Sequence, residues 1–174
     1  MDTSVIIRKY RPADPSLISA FQMKIYEKQY KFKPIFEYYL VSGIAEFLKN
    51  PLGSQLWVAE NEAGIVGSIA IVREYENTAH LRWFAVDESM QGKGIGKSLV
   101  NKALSFCNEN GYDNIVLWTT SILKSARHIY SKNGFTITET KENVEWTDAV
   151  LTEEKWEKHL QKNARIDRGD ESKV

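Results

Sequence analysis

A chain of 174 residues with 43% hydrophobic and 26% charged content is long enough to bury its own core as one domain and needs no disulfide or metal to hold it. Lys plus Arg and Asp plus Glu both number 23, so no overall basic field exists to hold nucleic acid or an anionic membrane, and neither is an expected partner. Cys107 is the only cysteine, which excludes an intrachain disulfide and a cysteine-rich zinc site; Met1 is followed by Asp2-Thr3-Ser4 rather than a basic and then apolar leader, no apolar run approaches a membrane span, and the expected location is cytoplasmic.

Val5 to Ile7 reads as an opening strand, broken by Pro12 and Pro15. Leu17, Ile18, Phe21, Ile25 and Tyr26 recur at helical spacing, and Pro34 opens a second helix through Phe36, Leu40 and Phe47 that closes at Asn50-Pro51. Gln55 to Glu60 and Ile65 to Tyr75 form a hairpin about Asn61-Glu62-Ala63-Gly64, and Ala79 to Val86 is the next strand. A glycine-rich turn, Gln91 to Gly96, leads into a helix whose apolar stripe includes Leu99, Val100, Ala103 and Cys107, which makes Cys107 a core residue and an inert thiol. Asn114 to Thr120 is a buried strand and Ser125 to Asn133 a helix ended by Gly134. Phe135 to Thr140 and Val144 to Val150 read as a strand pair around Lys141-Glu142-Asn143, and Leu151 onward as a last helix packed through Trp156 and Leu160. The order implies an α/β layer with a mixed sheet in one domain over residues 1–162, with a polar, flexible tail over 163–174.

The stretch Gln91-Gly92-Lys93-Gly94-Ile95-Gly96-Lys97-Ser98 sits between a strand and a helix, an arrangement that suits a pyrophosphate. Glycines let the backbone approach the ligand, and the free N–H groups and dipole of a helix start attract negative charge. Lys93, Lys97 and Ser98 add side-chain donors. A bare turn is the ordinary alternative. The spacing of Gly92, Gly94 and Gly96 is neither the dinucleotide fingerprint of a first βαβ unit nor a nucleotide-binding P-loop, which leaves a nucleotide-dependent oxidoreductase as the weakest reading.

Together with Leu81-Arg82-Trp83-Phe84-Ala85-Val86 and Ala126-Arg127-His128-Ile129-Tyr130-Ser131-Lys132-Asn133-Gly134-Phe135, this turn resembles the Gcn5-related N-acetyltransferase (GNAT) family over roughly residues 4 to 150. The wording at Leu81 to Val86 and Trp118-Thr119-Thr120 also looks like acetyltransferase domains fused behind winged-helix regulators, for which this length leaves no room. The resemblance implies a GNAT-like mixed central sheet flanked by helices, with a splayed cleft for acetyl-CoA between the fourth and fifth strands; no metal is expected, because the three histidines are too scattered in sequence to suggest a site. It implies that the backbone of Phe84, Ala85 and Val86 holds pantetheine, that Gln91, Gly92, Lys93, Gly94, Ile95, Gly96, Lys97 and Ser98 wrap the pyrophosphate, and that Tyr130 lies near the sulfur. Leu123 stands where the family often has an asparagine, which removes one contact to the pantetheine arm. The expected acceptor is an amine of a small molecule or peptide, attacking directly, and the resemblance is compatible with a homodimer. A domain that binds acetyl-CoA as a sensor without transferring the acetyl group is the alternative.

Tyr130 has a chemical case of its own, because a phenol donates to the thiolate that leaves when an amine opens a thioester. Its ordinary alternative is an aromatic on the buried face of a helix. For the base, Glu74, Glu76, His80 and Glu145 are candidates, and each alone is more often a plain surface or strand residue. His80 ranks first because strict alternation places it on one face with Arg82, Phe84 and Val86. Tyr26, Tyr30, Phe32, Phe36 and Tyr39 crowd the first two helices as packing or as a lid over the acceptor.

Overall fold

The structure, a computed structural model, describes residues 4–161; the tail expected over 163–174 lies outside the described residues. Strand β1 (Ile6–Lys9) is followed by helices α1 (Asp14–Tyr30) and α2 (Pro34–Lys49), strands β2 (Gln55–Asn61), β3 (Gly64–Tyr75) and β4 (Thr78–Val86), helix α3 (Ile95–Glu109), strand β5 (Asn114–Thr120), helix α4 (Lys124–Lys132) and strands β6 (Thr136–Asn143) and β7 (Leu151–His159). One seven-stranded sheet has the order β1-β2-β3-β4-β5-β7-β6. Every pairing is antiparallel except β4 with β5, so the expected mixed sheet is present.

Each face of the sheet buries one apolar cluster, which is how a two-faced sheet satisfies its side chains. Ile18 of α1 and Leu40, Ile44 and Phe47 of α2 pack with Leu56, Val58, Ala70 and Trp83 on one face. Leu99, Val100, Ala103 and Cys107 of α3, with Tyr130 of α4, pack with Ile69, Ile71, Leu81, Ile115 and Leu117 on the other. Cys107 is fully buried, and burial pushes its thiol up to about 12, so it remains an unreactive thiol near neutral pH. At the start of the chain, Arg8 bridges Asp14 and Glu60 at 2.5 Å each and ties α1 to the β1–β2 edge.

The C-terminal third departs from the expected pattern. Val144 to Val150 is an irregular connection, and the partner of β6 is β7 at Leu151–His159, where a helix was expected. The Glu- and Lys-rich stretch has good intrinsic helix propensity, and Trp156 and Leu160 stand at helical spacing. Pairing overrides both: β7 is bonded to β5 from Asn114↔His159 to Thr120↔Glu153 and to β6 along its other side. The outer strand β6 is exposed along nearly all its length and carries Glu139, Lys141 and Glu142, the charged edge that discourages further strand addition.

Candidate active site

The site begins with a failure of pairing in the middle of the sheet. The β4–β5 ladder joins only Thr78↔Asn114, Ala79↔Ile115 and His80↔Val116, and beyond His80 the strands part. Leu81 to Val86 therefore has a side without a strand partner, and backbone groups there call for another ligand. The other side of β4 is irregular too: Arg82 pairs with Ala70 but Ala85 pairs with Ser68, so Trp83 and Phe84 together oppose Ile69. Trp83 takes φ 50 in this bulge, an uncommon conformation for a bulky residue. Buried Ser68 braces it, donating to the Trp83 carbonyl at 2.7 Å and accepting from Gln22 Nε2 at 3.1 Å.

The bulge overturns the expected alternation. Trp83, next to Arg82, packs with the α1–α2 cluster, whereas Phe84 and Val86 pack against the α3 cluster. The extra residue reverses the facing of everything after it, so His80 and Arg82 do not share a face with Val86.

On the α3 side a cavity of about 490 Å3 opens along the freed strand. Of the residues expected to hold the cofactor, Phe84, Ala85, Val86, Gln91, Gly92 and Gly96 line it, with Leu123, Lys124, Ser125 and His128 across from them. Gly92 and Gly94 take φ 75 and 81, left-handed values that glycine adopts without strain. Gly94 is the N-cap of α3, no side chain caps that helix, and the first-turn bond runs from Ser98 N–H to the Gly94 carbonyl. The preceding N–H groups are thus available to an anion, with the helix dipole behind them. Lys93, Lys97 and Ser98 are exposed beside the turn, while the Ile95 side chain is buried in the core and leaves only its backbone to the turn. Gln91 Nε2 donates to the Val86 carbonyl at 3.2 Å.

A second cavity of about 310 Å3 lies toward α2 and meets the first at Tyr26, Phe84, Leu123 and Ala126. His80 and Tyr130 both line it. The Tyr130 ring lies 5.9 Å from Phe84 and from Phe135 and 6.1 Å from Trp156. Burial, and secondarily neighbouring Tyr26, raises its phenol well above the ordinary value, so it stays protonated as a donor. His80 Nδ1 is 3.4 Å from Glu74 Oε2, yet burial, reinforced by Arg82 and Lys155, lowers its pKa to about 4. The ring is neutral near pH 7 and accepts a proton, although weakly. Glu145 is the acceptor for the Tyr39 hydroxyl at 2.9 Å, which engages it in the wall.

The aromatic residues of α1 and α2 do two jobs. Phe32, Phe36 and Tyr39 stack around Trp146 of the β6–β7 connection at 5.0 to 6.1 Å, and Lys33 fixes that connection through its N–H to the Trp146 carbonyl at 2.7 Å and its ammonium to Asp148 at 2.7 Å. Tyr26, Phe32, Phe36 and Tyr39 also line the second cavity.

Sequence reasoning missed Trp146, Lys141 and Glu153 in this wall. Glu153 is buried, accepts from Asn143 Nδ2 at 2.9 Å and lies 3.8 Å from Lys141 Nζ. Reading Leu151 onward as a helix hid it. Among the described residues no cluster of three His, Cys, Asp or Glu side chains is placed to hold a metal ion, and no helix is long and apolar enough to cross a membrane.

Residues 53–137 match the family model of the acetyltransferase (GNAT) domain. N-acetylaspartate synthetase from Danio rerio is 36% identical over 96 residues, which cover 55% of this chain and 34% of that protein. N-acetyltransferase 8B from Homo sapiens is 34% identical over 100 residues, covering 55% and 44%. The chain thus spans less than half the length of these curated relatives. A GNAT-family acetyltransferase from Staphylococcus aureus Mu50 superposes with a TM-score of 0.74 at 24% identity, over 91% of this chain and 100% of that one. A Salmonella typhimurium protein solved with its cofactor acetyl-CoA superposes at 0.72 and 18% identity, over 95% and 99%. Likeness at these identities establishes the fold.

Proposed function

Since residues 53–137 match the acetyltransferase (GNAT) domain and the fold is that of GNAT-family acetyltransferases, we propose that the chain belongs to this family and transfers the acetyl group of acetyl-CoA to an amine by direct attack. The observation that carries this reading is the parting of β4 from β5 after His80, flanked by an uncapped, glycine-led helix start and joined to a second cavity at Phe84. Acetyl-CoA supplies a thioester whose carbonyl carbon an amine attacks, with the CoA thiol as leaving group.

The chain's own residues fit that ligand. In this reading, freed backbone groups of Phe84, Ala85 and Val86 pair with the amide-bearing arm, and the turn from Gln91 to Ser98 faces the phosphates through N–H groups and the Lys93 and Lys97 ammonium groups. Tyr130 donates from its protonated phenol to the departing sulfur. His80, neutral at the cavity wall, takes the amine's proton directly or through water. Phe84, Leu123 and Ala126 keep bulk solvent from the junction of the two cavities. Cys107 takes no part, being buried in α3. The buried, free thiol is compatible with a reducing compartment, and the cytoplasm is the proposed setting.

Calorimetric titration with acetyl-CoA and thiol release across amino acids, polyamines, aminoglycosides and peptide N-termini test the reading together. Binding with turnover on at least one amine class supports it. Tight binding with no thiol release above hydrolysis would leave a sensor instead, and no binding would remove the cleft assignment.

A further inference from the structure

The second cavity contains a cation that no carboxylate among the described residues contacts directly. Arg82 lines it from β4, with its Cζ 5.0 Å from the Trp83 ring centroid. Most other half-buried cations answer to a carboxylate: Arg8 to Asp14 and Glu60, Lys33 to Asp148, Arg127 to Glu154, and Lys155 to Glu157. Among the described residues the Arg82 side chain makes no ion pair and no hydrogen bond; the charge of Glu74 reaches it from a distance, but burial outweighs that and pulls its pKa down. The carboxylates nearby are turned to other groups, Glu74 to His80, Glu153 to Asn143 and Lys141, and Glu145 to Tyr39. A desolvated charge whose only counter-charge is at a distance is costly, and a structure that keeps one has a use for it.

Helix α2 is shaped around this group. A Cβ on Gly43 would stand 2.8 Å from Arg82 Nη2 and 3.2 Å from Cζ. A glycine inside a helix costs about 1 kcal/mol relative to alanine, and here it is the residue that lets the guanidinium lie against the helix backbone. Two further lining residues, Thr120 and Trp146, each hold a polar atom without a hydrogen-bond partner. The cavity is therefore short of acceptors, and its fixed fork of donors matches a carboxylate.

We infer that the acceptor is a small amine that also carries a carboxylate, of the amino-acid type, with the carboxylate on Arg82 and the amine turned toward Phe84 and Tyr130. This rests on the acetyl-transfer reading. It disfavours polyamines and aminoglycosides, whose charge repeats that of Arg82 and Lys141.

The test compares amines that differ only in that group, L-alanine with L-alaninamide and L-aspartate with L-aspartic acid diamide, by thiol release from acetyl-CoA. The carboxylates are expected to have kcat/KM higher by roughly 10- to 100-fold. Arg82→Gln is expected to collapse that ratio while leaving amide turnover nearly unchanged, and Gly43→Ala, which crowds the guanidinium without removing its charge, to raise KM for the carboxylates alone. A preference for amides or polyamines, or a ratio that survives Arg82→Gln, overturns the inference and leaves acetyl transfer standing. If acetyl-CoA binds and no amine turns over, the transfer reading fails instead. Calorimetry of L-aspartate and its diamide on the CoA-loaded protein then decides the carboxylate site: binding of L-aspartate that is lost in Arg82→Gln supports it, and equal binding or none overturns it.

Discussion

The cavity beside the glycine turn and the cavity beside α2 share Phe84 and Leu123 but have walls of different material. The first sets side chains of α1 and α4 opposite a main-chain wall: a strand edge released after His80, left-handed Gly92 and the bare start of α3 behind Gly94. The second is bounded by side chains from α1, α2, β4, β5, β6, β7 and the connection after β6, with Arg82 and Glu153 the charges of consequence. A main-chain wall suits a ligand whose phosphates and amides are always the same. A side-chain wall is changed by substitution without disturbing the fold, so selectivity for the acceptor belongs there.

The largest effect that would sharpen this contrast is expected at Gly94. Nothing lies within 4 Å of a Cβ built there, and aspartate tolerates the left-handed region better than most residues. Gly94→Asp should therefore still fold, at a cost of about 1 kcal/mol for the left-handed backbone, while its charge weakens acetyl-CoA binding by roughly 100-fold through the helix start and nearby lysines. Calorimetry showing unchanged affinity would break the account of the main-chain wall.

Next is Tyr130, which lines the second cavity with its ring 5.9 Å from the shared Phe84. Tyr130→Phe keeps the ring contacts and removes the donor, so kcat should fall roughly 10- to 100-fold with little change in acetyl-CoA affinity. Because burial raises the phenol's pKa, the deficit should be the same at pH 7 and pH 9. An alkaline limb present only in the wild type over that range would contradict it.

Ser68→Ala tests the bulge that separates the faces. It strips the Trp83 carbonyl and the Gln22 amide of a buried partner, a loss of about 1–3 kcal/mol in unfolding free energy, read by urea denaturation. A neutral result would mean that the bulge is held by Trp83 packing alone.

The smallest effect concerns His80. Its folded pKa of about 4 lies below the ordinary value of about 6.5, so between those values the unfolded chain binds a proton that the folded chain does not. Stability should then fall as pH drops from 6.5 toward 4, by roughly 1–2 kcal/mol near pH 5, and His80→Gln should remove that slope. Equal slopes in thermal melts of both proteins would place the titration elsewhere.

How legible each wall was follows from what it is made of. Gln91 to Gly96 stood out because glycines between a strand and a helix are a local signal, and Tyr130 because it precedes a helix-ending glycine in a stretch resembling the family. Glu153 had no such signal. It stands in a segment whose composition favours a helix, and only its pairing with β5 and β6 makes it part of a strand. Arg82 was visible merely as a neighbour of His80. What marks it out is the lack of a direct ion pair, a property of three-dimensional surroundings. Gly43 did carry a weak signal, a glycine inside an amphipathic helix, which marks a close approach without naming the group that approaches.

The order of elements up to β6, the turn and the burial of Cys107 are determined by the amino-acid sequence itself, because hydrophobic period, capping and glycine placement act over a few residues. The last strand, the reversal of facing after Trp83 and the meeting of Arg82 with Gly43 were decided by the tertiary structure. Each depends on which strand finds which partner: two flanking strands turn a helix-forming segment into β7, and one extra residue opposite Ile69 sends Arg82 to α2 and Val86 to α3. Pairing of that kind is a long-range choice, and neither propensity nor periodicity within the segment encodes it.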